Sequence, residues 1–326
     1  MNLKSCLKNV VGRYTNPEWA TRYPLPYLIP VYHTVSDDYL PHVQHIIRYK
    51  NVKTFEQDLD QISKEVEWVD EAGFKRLLNG EKVTSKIPAL LTFDDGLAEF
   101  YHIIVPILER KGIYAINFIN PKFIDNKALM YRCKSSLLWD ILKDKKSIHG
   151  GLAKAEDVRV KLFSVTFREQ NILDQWAEEN AISFKEFLEK QKPYMSLSEL
   201  KELKQKGFGL ASHGWDHPLY ADLSLKEKLQ NTALSVRFCD QHGFIKDFFA
   251  FPFTCHGVER KFFEEVAVEF GNNFYTFGAA GLKQDEVKNN LHRIPMEYGL
   301  SAEQTLRQEV GYYRIKALLG RHKIQR

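Results

Sequence analysis

Across 326 residues, a hydrophobic share of 44% with 13% aromatics is ample for a sizeable core and excludes a disordered chain. The formal net charge of +4 is scattered with no basic block, which argues against nucleic acid or an anionic membrane as partner. The cysteines (Cys6, Cys133, Cys239, Cys255) form no Cys-x-x-Cys pair, so neither a disulfide framework nor a cysteine zinc cluster is indicated.

Short apolar runs alternate with amphipathic stretches, the pattern of strand–helix units around a parallel sheet. Tyr27 to His33 reads as the first strand, and Phe55 to Val66 as a helix with Phe55, Leu59 and Ile62 on one face. Ala89 to Phe93 is a buried strand, Glu99 to Lys111 a helix closed by Gly112, and Ile113 to Ile119 a strand. From Asp125 to Tyr194 the sequence turns charged and helical, which predicts an insertion over 125–194 within one catalytic domain spanning 1–326. Ser198 to Gln205 is a capped helix, Phe208 to Ala211 a strand, Leu225 to His242 a helix and Asp247 to Phe251 a strand. Asn273 to Phe277 and Leu291 to Pro295 supply the last strands, and the tail from Ala302 onward is helical. No run reaches the ~18 to 20 apolar residues that span a bilayer. Residues 1–27 hold no apolar core of signal-peptide length, so a cytoplasmic enzyme is expected.

Polar residues collect at the predicted carboxyl ends of strands, where parallel sheets and barrels keep their functional groups. His33, Asp94, Asp95, His213 and the segment Pro252 to His256 all fall there. Two adjacent carboxylates, Asp94 and Asp95, precede Gly96, which frees the strand to break into a loop. His213 and His217 lie four residues apart, with Pro218 ending any helix through them. One carboxylate and two imidazoles suit zinc, with cobalt, nickel or manganese as alternatives. The second carboxylate can take a proton from attacking water, and either aspartate could play either part. The departing group then needs an acid, and His is the usual donor near neutrality.

Thr92-Phe-Asp-Asp-Gly96 resembles the first signature of the polysaccharide deacetylases, the NodB-homology group also called carbohydrate esterase family 4. His213-Gly-Trp-Asp-His217 is similar to their His-Ser/Thr-x-x-His motif, with Gly214 in the Ser/Thr place. Val31-Tyr-His-Thr-Val35 and Phe249-Ala-Phe-Pro-Phe253 resemble further segments of the family. The resemblance implies an α/β fold, a distorted (β/α) barrel with fewer than eight strands, and metal-dependent removal of N- or O-acetyl groups from a saccharide or its precursor, with N-linked groups favoured over O-linked ones. It also assigns Asp94 as general base and Asp95, His213 and His217 as metal ligands.

Three departures accompany it. Ala250 stands where the family carries an Arg that restrains the base, and the Asp-x-x-Asp-Trp motif is missing. The Leu-x-His motif bearing the acid is matched only by Leu291-His292, one residue out of step; His292 is the acid expected, with His33 and His256 as rivals. His33, Trp215, Pro252 and Phe253 are expected to bind substrate. A deformylase or small-amide hydrolase with the same site, or an inactive carbohydrate-binding relative, are the alternatives. Oligomeric state is not legible in the sequence.

Overall fold

A computed structural model describes residues 18–326. Short apolar runs buried on both faces make the strands of the main sheet, as expected of a parallel sheet, and those ending at Tyr32, Asp94, Ile119, Ser212 and Ala250 are each followed by helical structure that covers the outside. In chain order the elements begin with β1 (Pro30–Tyr32), α1 (Val52–Ser63), β2 (Val66–Trp68), α2 (Glu71–Leu78), β3 (Ile87–Ala89) and β4 (Leu91–Asp94). A π-helical turn, Phe100–Ile104, leads into α3 (Val105–Lys111), closed by Gly112 in the left-handed conformation, and then β5 (Ala115–Ile119). Between β5 and the next barrel strand lie α4 (Tyr131–Leu142), α5 (Val158–Ser164), α6 (Asn171–Glu179) and α7 (Phe184–Gln191). The chain continues with α8 (Leu197–Gln205), β6 (Gly209–Ser212), α9 (Leu225–Gln241), β7 (Phe248–Ala250), α10 (Arg260–Phe270) and β8 (Tyr275–Gly278). Last come β9 (Gln284–Asp285), β10 (Asn290–His292), β11 (Ile294–Pro295), α11 (Ala302–Leu318) and β12 (Lys323–Ile324).

The main sheet runs β10-β8-β7-β6-β5-β4-β1-β11 with every pair parallel. Its two ends are halves of one extended stretch: Leu291 pairs with Phe277 on one side and Ile294 with Pro30 on the other. The sheet therefore closes on itself through Arg293, and the eight strands make seven staves. This is the (β/α) barrel that the motifs imply, with eight strands in its sheet where fewer than eight are expected.

Strand alternation sorts the core into an inside and an outside. Ile116, Phe118, Ala211, Phe248, Ala250, Phe277 and Leu291 share one buried cluster within the barrel. Their neighbours Leu91, Phe93, Ala115, Ile119 and Leu210 pack instead with Phe55, Leu59, Leu108 and Leu200 of the surrounding helices. Residues 125–194 carry α4 to α7, whose Leu137, Leu138, Leu162, Leu173 and Trp176 build a separate apolar cluster. Val43, Ile46 and Ile47 of the β1–α1 loop join that same cluster, so loop and helices make one wall. Among the described residues no helix is long and apolar enough to cross a membrane.

Candidate active site

β4 ends at Asp94, whose side chain continues the inward face of the barrel, and the backbone then turns sharply. Asp95 adopts φ 76°, a left-handed conformation that costs a non-glycine residue of order 1 kcal/mol or more. That turn brings Asp95 to the same side as Asp94, against the alternation a continuing strand would impose. At the end of β6, His213 also faces inward, and the loop after it returns His217 with φ 59°. The loop is braced from several sides. Asn120 donates to the His213 carbonyl at 2.6 Å, and Trp215 N donates to Asn231 Oδ1 at 2.8 Å. Asn231 Nδ2 and Lys122 Nζ both hold Asp216, at 2.8 and 3.0 Å. Gly214 is required here: φ is 75°, and a Cβ would lie 2.9 Å from Asn231 Oδ1. The glycine in place of Ser/Thr is thus tied to the asparagine that braces the loop.

Asp95, His213 and His217 each offer a ligand atom, all within 4.8 Å of one another and all buried. His213 Nε2 and His217 Nε2 lie 3.4 and 3.1 Å from Asp95 Oδ1. His213 Nδ1 donates to the Ala250 carbonyl at 2.9 Å, which fixes the tautomer and leaves Nε2 free as a ligand. Burial holds the His217 imidazole below its ordinary range, which favours the neutral form a metal binds. Asp95 Oδ1 and His213 Nε2 have no hydrogen-bond partner although both are buried. Buried polar atoms are left unsatisfied only at a cost, and a divalent cation satisfies both. The residues present fit such an ion.

Asp94 is held differently. Arg293, fully buried, donates Nη1–H to Asp94 Oδ1 at 2.6 Å and Nη2–H to Oδ2 at 2.7 Å, while the guanidinium rests over the Phe118 ring. Burial alone would raise the Asp94 carboxyl; Arg293, with His213 nearby, keeps it below the usual carboxylate range and therefore ionised. The Arg that sequence motifs place at Ala250 is supplied here by the strand that closes the barrel.

His292 sits elsewhere than the sequence reading put it. Arg293 faces inward, so the side chain before it on the strand faces outward. There His292 Nε2 meets Asp285 Oδ2 at 3.0 Å, beneath Arg326, with no exposed surface. It lines no part of the cleft. His33 does: its Nδ1 is 2.6 Å from Glu297 Oε2, and Glu297 Oε1 accepts from the His33 amide at 2.9 Å. Burial by itself would lower the His33 imidazole, but Glu297, with Asp95 and Asp94, carries it up to about 9.

The cleft above these groups encloses about 500 Å³. His33, Phe251 and Phe253 line it, whereas Trp215 and Pro252 do not. Trp215 is partly buried on the braced loop, and Pro252 is buried against Gly214. Phe253 is 42% exposed and packs edge-on to the His217 ring at 4.5 Å between centroids. His256 is exposed and away from the cleft. Met130, Arg132 and Phe163 form one side of the cleft, so residues 125–194 contribute a wall of the site.

A model of the family described as "Polysaccharide deacetylase" matches residues 81–252, more than half of the chain. The chain belongs to the polysaccharide deacetylase family. No curated protein matches it by sequence. Among solved structures it is similar to the Streptococcus pyogenes deacetylase PplD, determined in complex with acetate. That pair has a TM-score of 0.56 at 15% identity over 87% of this chain and 97% of that one. IcaB from Ammonifex degensii gives 0.53 at 15% identity, over 87% and 97%. A de-N-acetylase from Aggregatibacter actinomycetemcomitans gives 0.52 at 15%, over 86% and 99%. At such identities the likeness speaks for a deacetylase fold over almost the whole chain. The family match covers β4 through Pro252 and so contains Asp94, Asp95, His213 and His217; His33, Arg293 and Glu297 lie outside it.

Proposed function

We propose that this polysaccharide deacetylase is a metal-dependent hydrolase that removes an acetyl group, N-linked in preference to O-linked, from a saccharide or saccharide precursor. One observation carries the reading. The ligand set Asp95, His213 and His217 opens into a cleft through Asp95 and His217, and the same cleft holds two groups suited to move protons, Asp94 clamped by Arg293 and His33 clamped by Glu297. Asp95, His213 and His217 would hold a divalent ion, zinc by the chemistry of the donors. When bound, such an ion polarises the acyl oxygen and acidifies water.

The remaining work falls to the chain's own side chains. Asp94 is the general base: it takes the proton as water attacks the acyl carbon, and Arg293 keeps it ionised and fixed in orientation. His33 is the general acid. Its Nδ1 is tied to Glu297, which leaves Nε2 to carry the proton toward the leaving group. An amine leaves only after protonation, whereas an alkoxide departs more readily, so a histidine held in its charged form favours N-linked substrates. The two gaps that made an inactive carbohydrate binder conceivable, a missing Arg and a missing acid, both have occupants in Arg293 and His33.

The test is acetate release from matched N-acetylated, O-acetylated and N-formylated saccharides by protein stripped with a chelator and reloaded with zinc, cobalt, nickel or manganese. Asp95→Ala and His213→Ala should lose bound metal. Asp94→Asn should keep the metal and lose about 10² to 10⁴ in kcat. Full turnover by the chelated protein, or by Asp94→Asn, would refute the mechanism.

A further inference from the structure

The charged side chains lining the cleft are His33, Arg48, Asp94, Asp95, Arg132, His217, Arg293 and Glu297. Most cancel in place. Arg293 neutralises Asp94 through two hydrogen bonds, Glu297 balances His33, and Asp95 belongs to the ligand set with His217. Two positive charges are left over. Neither Arg48 nor Arg132 has a carboxylate at ion-pairing distance among the described residues. They come from different parts of the chain, Arg48 from the β1–α1 loop and Arg132 from the first turn of α4, and these two parts make the common wall.

Arg132 is also positioned rather than loose. Its Nη1 donates to the Phe163 carbonyl at 2.6 Å, and its guanidinium lies 4.8 Å from the Tyr131 ring centroid and 6.0 Å from that of Phe253. One of five N–H groups is used by that bond; the plane of the guanidinium is fixed while donors remain for a ligand. Arg48 is exposed at the rim. Beside them, Tyr298 is 63% exposed in the same cleft and offers a face for a sugar ring.

We propose that Arg132 and Arg48 form an anion subsite, so that the substrate is an acidic saccharide, one bearing a phosphate or carboxylate group near the acetylated sugar. The subsite rests on the deacetylase reading only for the place of the sugar. Phosphate ester, phosphodiester and uronate share the chemistry that a guanidinium recognises.

Three matched N-acetylated disaccharides separate the sources: one neutral, one carrying a phosphate monoester, one a uronate. For each, acetate release gives kcat and KM, and calorimetry gives binding without turnover. In the wild type an anionic probe should exceed the neutral one by about ten-fold in kcat/KM, carried by KM and weakened by salt. Arg132→Gln should bring that ratio toward one, Arg48→Gln should lower it in part, and Arg132→Lys should retain part of it. Equal kcat/KM for all three probes, no binding of either anionic probe, or a preference that survives the Arg48→Gln/Arg132→Gln double variant overturns the subsite. Charge-selective binding with no acetate released from any probe would sink the deacetylase reading and leave the subsite standing. Acetate released from all probes without charge preference does the reverse.

Discussion

Replacing Arg293 by alanine removes both donors that hold Asp94 and leaves a carboxylate that is only 4% exposed without its counter-charge. Breaking a buried ion pair from one side costs about 3 to 5 kcal/mol, a large share of the ~5 to 15 kcal/mol that keeps a typical domain folded. Burial is the largest influence on Asp94 and acts to raise its pKa; Arg293 is the largest influence opposing it. Two effects should follow in Arg293→Ala. The denaturant midpoint falls, and the acidic limb of the kcat/KM profile moves to higher pH, because the base must now lose its proton in a buried site with no cation beside it. Adding Asp94→Asn removes the uncompensated charge, so the double variant should be more stable than Arg293→Ala alone. Ala250→Arg placed on the Arg293→Ala background should recover part of the activity by restoring the guanidinium from the other strand. Urea unfolding with pH–rate profiles of acetate release checks all of these. If Asp94→Asn gives no rescue and the acidic limb stays where it was, the ion pair does not govern the base.

Other outcomes are equally concrete. Glu297→Gln should lower the His33 pKa from about 9 in the metal-free protein, read by NMR titration, because burial then acts with less opposition; the alkaline limb of activity should move to lower pH with it. His33→Gln should reduce kcat by about 10² to 10⁴ on an N-acetylated probe and less on an O-acetylated one. His42 is buried against Phe187 with neither ring nitrogen bonded, and burial pushes its pKa from 6.5 down to about 4. The unfolded chain takes up that proton first, so stability is complete above pH 6.5 and falls by about 3 kcal/mol as pH drops to 4; His42→Leu should flatten that slope in unfolding curves. His292→Gln should lower the melting temperature, since Asp285 loses a partner, while metal content and turnover persist.

The cluster of Asp95, His213 and His217, the proposed ligand set, was legible because its parts are local. Asp94-Asp95-Gly96 and His213 to His217 are each short segments whose spacing states their geometry. Arg293 was not legible, for two physical reasons. Its partner lies 199 residues away in sequence, and no spacing rule reaches that far. On the same strand, His292 drew attention by residue type, and only the strand's facing decides which of two neighbours enters the barrel. Parity offered a signal: Leu291, which joins the interior cluster, and Arg293 share a face. Short elements escape the sequence for a related reason. Val66 read as the end of a helix, yet that helix stops at Ser63 and Val66 opens β2, paired with β3 at Ile87. These two-strand pieces are too short for periodicity to announce, and α2 between them was missed with them.

Arg293, which holds the proposed base Asp94, also lies in the stretch that seals the barrel. During synthesis, the chain acquires Asp95, His213 and His217 well before Arg293 emerges. A chain whose final stave has not docked can therefore own all three proposed ligands yet lack the counter-charge on Asp94. The stretch that closes the sheet is thus also the one that sets the counter-charge against Asp94, so barrel closure and the proposed base depend on the same six residues, 290–295.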